Sequence, residues 1–210
     1  HIQKTIEQAL KHGVQIGAHP SYPDINGFGR KVIPMSVEAL SSSIKYQVDA
    51  FKGMVEAAGG TLKYVKPHGA LYNEMASNKI EAKTVIEAIK SIDDSLMIMG
   101  LAGSHMKQLV ENCCMTFIAE AFADRRYEAD GKLRSRAKEG ALLNNGFEAA
   151  QQVITIAQKG TVETLDGQII QLNAQSFCIH GDNIAAVDIL REIHGQMAKN
   201  GITRKAFSQA

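Results

Sequence analysis

Cysteine is scarce in this chain and shows no pairing pattern. The three cysteines, Cys113, Cys114 and Cys178, are odd in number and form no C-x-x-C spacing. Neither a disulfide framework nor a cysteine zinc site is supported, and a reducing cytoplasm fits best. No charge of one sign dominates: 23 Lys and Arg against 22 Asp and Glu leave a formal net charge of +1. That balance argues against the basic face that nucleic-acid binders carry, so small substrates are the expected partners. No apolar run approaches the ~20 residues that span a bilayer, and the opening residues do not read as a signal peptide. Signature loops of common enzymes are missing too: there is no G-x-x-x-x-G-K-[ST], no G-x-G-x-x-G, no G-x-S-x-G and no H-E-x-x-H. What is present is an ordinary globular composition, 45% hydrophobic over 210 residues, enough for one sizeable core and read as a single domain over residues 1–210.

Apolar spacing then orders the chain. Ile2, Ile6, Ala9 and Leu10 share one helical face with no capping residue before them, so a segment N-terminal to His1 is expected to be missing. Gly13 stops that helix, and residues 14–18 read as a buried strand ending at His19-Pro20. Leu40, Ile44, Val48, Phe51 and Val55 predict a helix after Pro34 and Ser36, closed by Gly59-Gly60. A strand over 62–65 runs into Lys66-Pro67-His68-Gly69. A helix carrying Val85, Ile86 and Ile89 precedes a strand over 96–101, and one around Met106, Leu109 and Val110 precedes a strand over 115–119. Strands separated by helices imply parallel pairing, because a parallel neighbour is reached through a crossover. Phe147, Ala150, Val153, Ile154 and Ala157 mark a further helix, after which Asp166-Gly167 predicts a hairpin between 161–165 and 168–172. A last strand over 176–179 leads to His180-Gly181-Asp182 and a helix with Ala186, Leu190, Ile193 and Met197 inward.

In parallel α/β folds the loops leaving the carboxyl ends of strands converge on one rim, where enzymes of this class hold their sites. Four strand exits carry ionisable side chains: His19; Lys66 with His68; Glu120 with Asp124, Arg125 and Arg126; and His180 with Asp182. A lone histidine at a strand end is more often a hydrogen-bonded loop residue than a catalyst. Three on one rim with carboxylates supply both acid and base. Lys66 is read equally as a solvent-facing lysine or as an inward cation that holds a phosphate or an oxyanion. Asp124-Arg125-Arg126 follows a strand rather than lying on a helix face, which favours a site role for Asp124 and Arg125 over a solvated charge run. Arg30, Arg134 and Arg136 are candidate anion clamps on Gly-containing loops, or surface charge. Imidazole and carboxylate together leave a bound transition metal open, with no close His pair in sequence to set its geometry.

Six segments lie in register: Gly17-Ala18-His19-Pro20-Ser21-Tyr22-Pro23-Asp24, Gly27-Phe28-Gly29-Arg30, Val65-Lys66-Pro67-His68-Gly69-Ala70-Leu71-Tyr72-Asn73, Gly100-Leu101-Ala102-Gly103-Ser104, Phe122-Ala123-Asp124-Arg125 and His180-Gly181-Asp182. In order and spacing they resemble the LamB/YcsF family. The resemblance implies a seven-stranded β/α barrel akin to the polysaccharide deacetylases, with its N-terminal strand and two further motifs lying before His1. It implies the A component of an ATP-dependent 5-oxoprolinase, which opens 5-oxo-L-proline to L-glutamate together with the B and C subunits and uses ATP, with Mg expected. On that reading His19, Lys66, His68, Glu120, Asp124, His180 and Asp182 are catalytic, while Arg30, Tyr72, Asn73, Arg125 and Arg136 bind substrate. Ser135 departs from the family pattern, which has Pro before the position of Arg136. Two other functions compete: a metal-dependent amide or N-acetyl hydrolase on the same barrel, and a non-catalytic lactam-binding component.

Overall fold

Caps and apolar stripes account for the helices. The computed structural model describes residues 1–207. Its helices are α1 (Ile2–Lys11), α2 (Val37–Ala57), α3 (Gly69–Ser77), α4 (Lys79–Ile92), α5 (Met106–Asn112), α6 (Gly146–Lys159) and α7 (Ala186–Lys199). Its strands are β1 (Ile16–Ala18), β2 (Leu62–Val65), β3 (Met97–Leu101), β4 (Phe117–Phe122), β5 (Thr161–Glu163), β6 (Ile169–Gln171) and β7 (Ser176–Cys178). The fold is α/β, with parallel strands hydrogen bonded in the order β1-β2-β3-β4-β7 and a separate antiparallel pair, β5-β6. Among the described residues no helix is long and apolar enough to cross a membrane.

The chain divides into two compact units, residues 1–118 with 206–207, and Ala119–Lys205. In the first, the stripe Leu40, Ile44, Val48 and Val55 buries one face of α2, and α2 packs on α4, whose Val85, Ile86 and Ile89 are fully buried. All five residues of β3 are buried, as expected of a strand covered on both faces. Met97, Met99 and Ile118 form a small cluster against which Tyr64 and Phe207 pack. In the second unit, α6 and α7 pack together through Ala149, Ala150, Val153, Ile189 and Ile193.

Ser36 caps α2, its hydroxyl accepting from the Ala39 N–H at 3.2 Å. Ser36→Ala is therefore expected to lower unfolding stability by about 1 kcal/mol in urea denaturation; an unchanged midpoint would mean the hydroxyl contributes nothing as a cap. Asn145 does the same for α6, with Gly160 closing it in the left-handed conformation.

Several boundaries differ from the sequence expectation. β1 starts two residues late, because Val14 is 59% exposed. β4 starts at Phe117 instead of 115: Cys114 takes a positive φ of 58° and the Met115 N–H bonds back to Val110, so these residues close α5. β4 also runs on to Phe122 instead of ending at 119, so Glu120 lies inside the strand, buried, and not in the loop beyond it. α3 is an unanticipated helix; Pro67 and Gly69 announce a loop, and Asn78 both ends α3 and caps α4. The buried stripe of α7 is Ile189 and Ile193, with Leu190 43% exposed, since one residue of offset turns a side chain ~100° around the helix. Phe147 likewise faces outward on α6. The hairpin falls where Asp166-Gly167 predicts it, Gly167 adopting φ 78°.

Candidate functional site

In the first unit β1 and β2 run parallel with Ala18 beside Val65, so their loops leave from the same end. The Lys66 N–H donates to the Ala18 carbonyl at 2.9 Å and the His68 N–H to that of Pro20 at 2.8 Å, which holds the two exits side by side. His19 and His68 meet there: His68 Nδ1 lies 3.0 Å from His19 Nε2, and the rings meet edge-on with centroids 4.7 Å apart. The outer nitrogens both face backbone carbonyls, His19 Nδ1 that of Lys66 and His68 Nε2 that of Phe28 at 2.8 Å.

A tight loop presents the Phe28 carbonyl. Asp24 accepts from the Gly27 N–H at 2.9 Å and the Lys31 N–H at 3.2 Å, while Phe28 and Gly29 both take positive φ. The Arg30 guanidinium lies 5.4 Å from the Phe28 ring centroid, a cation–π placement. Gly29 in turn accepts from the Ala70 N–H at 2.9 Å, and a Cβ at Gly69 would come within 2.4 Å of that same Gly29 oxygen. Lys66 is half-buried at the end of β2. Tyr72 and Asn73, expected to bind substrate, sit on α3, the first buried and the second exposed.

In the second unit the parallel pair β4-β7 ends with Phe122 beside Cys178. Just beyond, Asp124 is 1% exposed, and both its oxygens lie 2.9 Å from His180 Nδ1. The His180 backbone N–H also donates to Asp124, at 3.1 Å. Facing a carboxylate, Nδ1 carries the proton; in the neutral ring Nε2 is then a lone pair, available as a base. The imidazole stacks on Phe122, centroids 5.5 Å apart at 24°. Burial by itself would raise the Asp124 carboxyl, but the hydrogen bonds and charge of His180 outweigh it and hold the group below the usual range.

Next along the chain, Arg125 is 7% exposed, so this segment is no solvated charge run. Its Nη2 donates to the Arg134 carbonyl, while its Nε is buried without a hydrogen-bond partner. Burial and then the nearby charge of Arg136 lower its affinity for its proton. Arg136 approaches Asp182 at 3.9 Å. Arg134 is committed to Glu128 at 3.1 Å and to the Glu139 carbonyl, which removes it from the anion clamps, and Arg126 pairs with Glu148.

Sequence reasoning missed the groups that brace this turn. Gln152 on α6 donates to the carbonyls of Phe122 at 2.8 Å and Arg125 at 2.9 Å, and the wholly buried Tyr127 oxygen accepts from the Phe122 N–H at 2.8 Å. Burial first, and the Glu120 charge among lesser causes, push the Tyr127 phenol upward. Among the described residues no three His, Cys, Asp or Glu side chains gather into a metal-binding group.

His105, before α5, is lowered by burial and by the Lys79 charge, against a smaller opposing bond from the Met75 backbone. Its folded value lies below its unfolded one, so the unfolded chain binds more protons on acidification. The stability it contributes is present above about pH 6.5 and is lost as pH falls through the folded value. Thermal midpoints measured from pH 8 to 5 are expected to fall on the acid side, and His105→Gln should flatten that fall. An equally steep fall in the variant would rule the residue out.

A family model described as the LamB/YcsF family matches residues 1–210. The chain belongs to the LamB/YcsF family. Among its relatives, a protein of Agrobacterium fabrum named as a 5-oxoprolinase A subunit is 44% identical over 207 residues, covering 99% of this chain and 81% of that protein. Another, from Acinetobacter baylyi and of the same name, is 43% identical over 208 residues, covering 99% of this chain and 82% of the other. The crystal structure of a lactam utilization protein from Thermus thermophilus is similar at a TM-score of 0.90 and 32% identity, covering 98% of this chain and 82% of that one. In this LamB/YcsF chain the motif residues His19, His68, Asp124 and His180 thus stand just beyond the carboxyl ends of parallel strands, in two hydrogen-bonded pairs.

Proposed function

We propose that this chain is the A subunit of a 5-oxoprolinase, opening the lactam of 5-oxo-L-proline to L-glutamate with ATP hydrolysis, in the cytoplasm and together with the B and C subunits. What supports the reading is the identity of 44% over nearly the whole chain to a protein of that name, with a lactam utilization protein as structural neighbour. The residue-level observation that carries it is the buried Asp124 holding His180 by Nδ1. We propose too that the parallel sheet belongs to a seven-stranded β/α barrel and that the chain is one domain of it.

The chemistry explains the need for ATP. A lactam carbon is a poor electrophile; placing a phosphoryl group on its oxygen makes it attackable by water. His180 Nε2 takes a proton from that water as it adds, the carbon–nitrogen bond breaks, and the ring nitrogen leaves as an amine with a proton returned to it. The acyl phosphate left on the carbon is hydrolysed by a second water, which releases inorganic phosphate and the glutamate side-chain carboxylate. Asp124 keeps the imidazole in the tautomer this requires and offsets the positive charge it acquires. A buried guanidinium nitrogen with no acceptor suits an anion, so Arg125, with Arg136, is assigned the carboxylate or phosphate, and Mg is expected to accompany the nucleotide. Lys66 and Arg30 are assigned to charge that develops near the first histidine pair, Asp182 to placing Arg136, and Glu120 to the electrostatics beneath Asp124. Tyr72 and Asn73 remain assigned to substrate.

The test supplies the chain and its partner subunits with 5-oxoproline and ATP and quantifies glutamate and phosphate. One glutamate per phosphate, dependent on this chain, is expected. No ATP-dependent glutamate overturns the proposal, and unchanged turnover in its absence makes the chain a non-catalytic component.

A further inference from the structure

The His19–His68 contact fixes a proton count. Two neutral imidazoles carry two N–H groups on four nitrogens. Here both outer nitrogens face backbone carbonyls, which only accept: His19 Nδ1 faces that of Lys66, and His68 Nε2 that of Phe28. Both protons of a neutral pair are used in this way. His19 Nε2 and His68 Nδ1 would then confront each other as bare lone pairs at 3.0 Å, a repulsive arrangement at the separation of an N–H···N hydrogen bond. Four protons fail equally, since two N–H groups would collide head-on. Three satisfy every contact.

We propose that His19 and His68 form an imidazole–imidazolium pair that shares one proton between Nε2 and Nδ1 and carries a single fixed positive charge at the carboxyl ends of β1 and β2. The lone pairs could instead converge on a metal, and outer nitrogens bonded to carbonyls are common in metal sites. One observation favours the proton: ligands of a tetrahedral zinc stand about 3.3 Å apart for zinc–nitrogen distances of about 2.0–2.1 Å, wider than the 3.0 Å between His19 Nε2 and His68 Nδ1. With each ring nitrogen engaged, the pair presents charge and no free N–H. It therefore takes an anionic oxygen, of a carboxylate or a phosphorylated group, by field and not by direct donation, which makes the two histidines positioning residues. The backbone encodes the state: Phe28 at φ 56° and Gly29 at φ 66° turn the carbonyl onto His68.

The proposal stands apart from the 5-oxoprolinase reading, because its test involves no turnover. Histidine-labelled protein is studied at pH 7 by two-bond proton–nitrogen spectra, with His19→Gln and His68→Gln assigning the signals. Three protonated nitrogens are expected in the pair, with the shared proton linking His19 Nε2 and His68 Nδ1. In each variant the remaining ring should become neutral and keep its proton on the nitrogen facing the carbonyl. One unprotonated nitrogen on each wild-type ring overturns the proposal, as does a remaining ring that stays doubly protonated in the variants. Stoichiometric zinc or manganese retained by the purified protein and lost in both variants overturns it in favour of a metal. The wild-type proton count decides even if a variant fails to fold.

Discussion

Asp124→Asn is expected to lower kcat for glutamate formation about 10²–10⁴-fold, the span of general acid–base contributions, with little change in KM for 5-oxoproline. The reason is the tautomer. Both carboxylate oxygens of Asp124 lie 2.9 Å from His180 Nδ1, and one also accepts the His180 backbone N–H. An amide in the same place has one acceptor and one donor. When its NH2 meets the imidazole, the ring proton moves to Nε2 and the lone pair that would take a proton from water disappears. Stability changes as well, with a definite sign. The folded-state carboxyl lies below its usual value, so its contribution is present above about pH 4 and is lost as pH falls through the folded value. The stability gap between wild type and Asp124→Asn should accordingly narrow toward acid, read by thermal midpoints. A KM that rises while kcat holds would instead make Asp124 part of substrate binding.

Gly69→Ala is expected to have the largest effect on folding. Gly69 has φ 60°, and its Cβ would stand 2.4 Å from the Gly29 carbonyl oxygen, a backbone atom that already accepts from Ala70. A left-handed conformation costs an alanine about 1–2 kcal/mol, and losing the Ala70–Gly29 bond adds about 1 kcal/mol. The sum, about 2–3 kcal/mol before any clash, is a large part of a typical folding stability of about 5–15 kcal/mol. Gly59 is the control: its φ is 79°, yet nothing lies within 4 Å of its Cβ position, so Gly59→Ala should lose only the conformational part. Equal losses in urea denaturation would mean that Gly29 moves aside and that the loop carrying Phe28 is not braced by α3.

Much of this architecture is legible from periodicity. The stripe of α2, the buried run of β3 and the Asp166-Gly167 hairpin all follow from local spacing and turn chemistry. The errors have local causes. α3 hides behind Pro67 and Gly69, because a residue with positive φ at a helix start looks like a loop. Spacing alone puts the buried face of α7 on Leu190 rather than Ile189, a choice that only the packing against α6 settles. Strand-end logic places His19, His68, Asp124 and His180 correctly in their loops, and resemblance to the family adds weight to each. What it cannot supply is pairing. That Asp124 bonds His180 across 56 residues, or that His68 bonds His19 across 49, depends on which strands lie adjacent. Gln152 and Tyr127 are invisible for a similar reason: a polar residue on an amphipathic helix and a tyrosine in a loop carry no sign of the carbonyl or N–H they will meet.

The claim on which the functional account rests is that Asp124 and His180 act as one proton-moving unit. A double-mutant cycle measures this directly, with kcat for 5-oxoproline opening determined in the assembled enzyme for Asp124→Asn, His180→Gln and the two combined. Residues that act as a unit are strongly non-additive, so the double variant is predicted to be no slower than His180→Gln alone. Losses that multiply, or a His180→Gln enzyme that turns over like wild type, would contradict it.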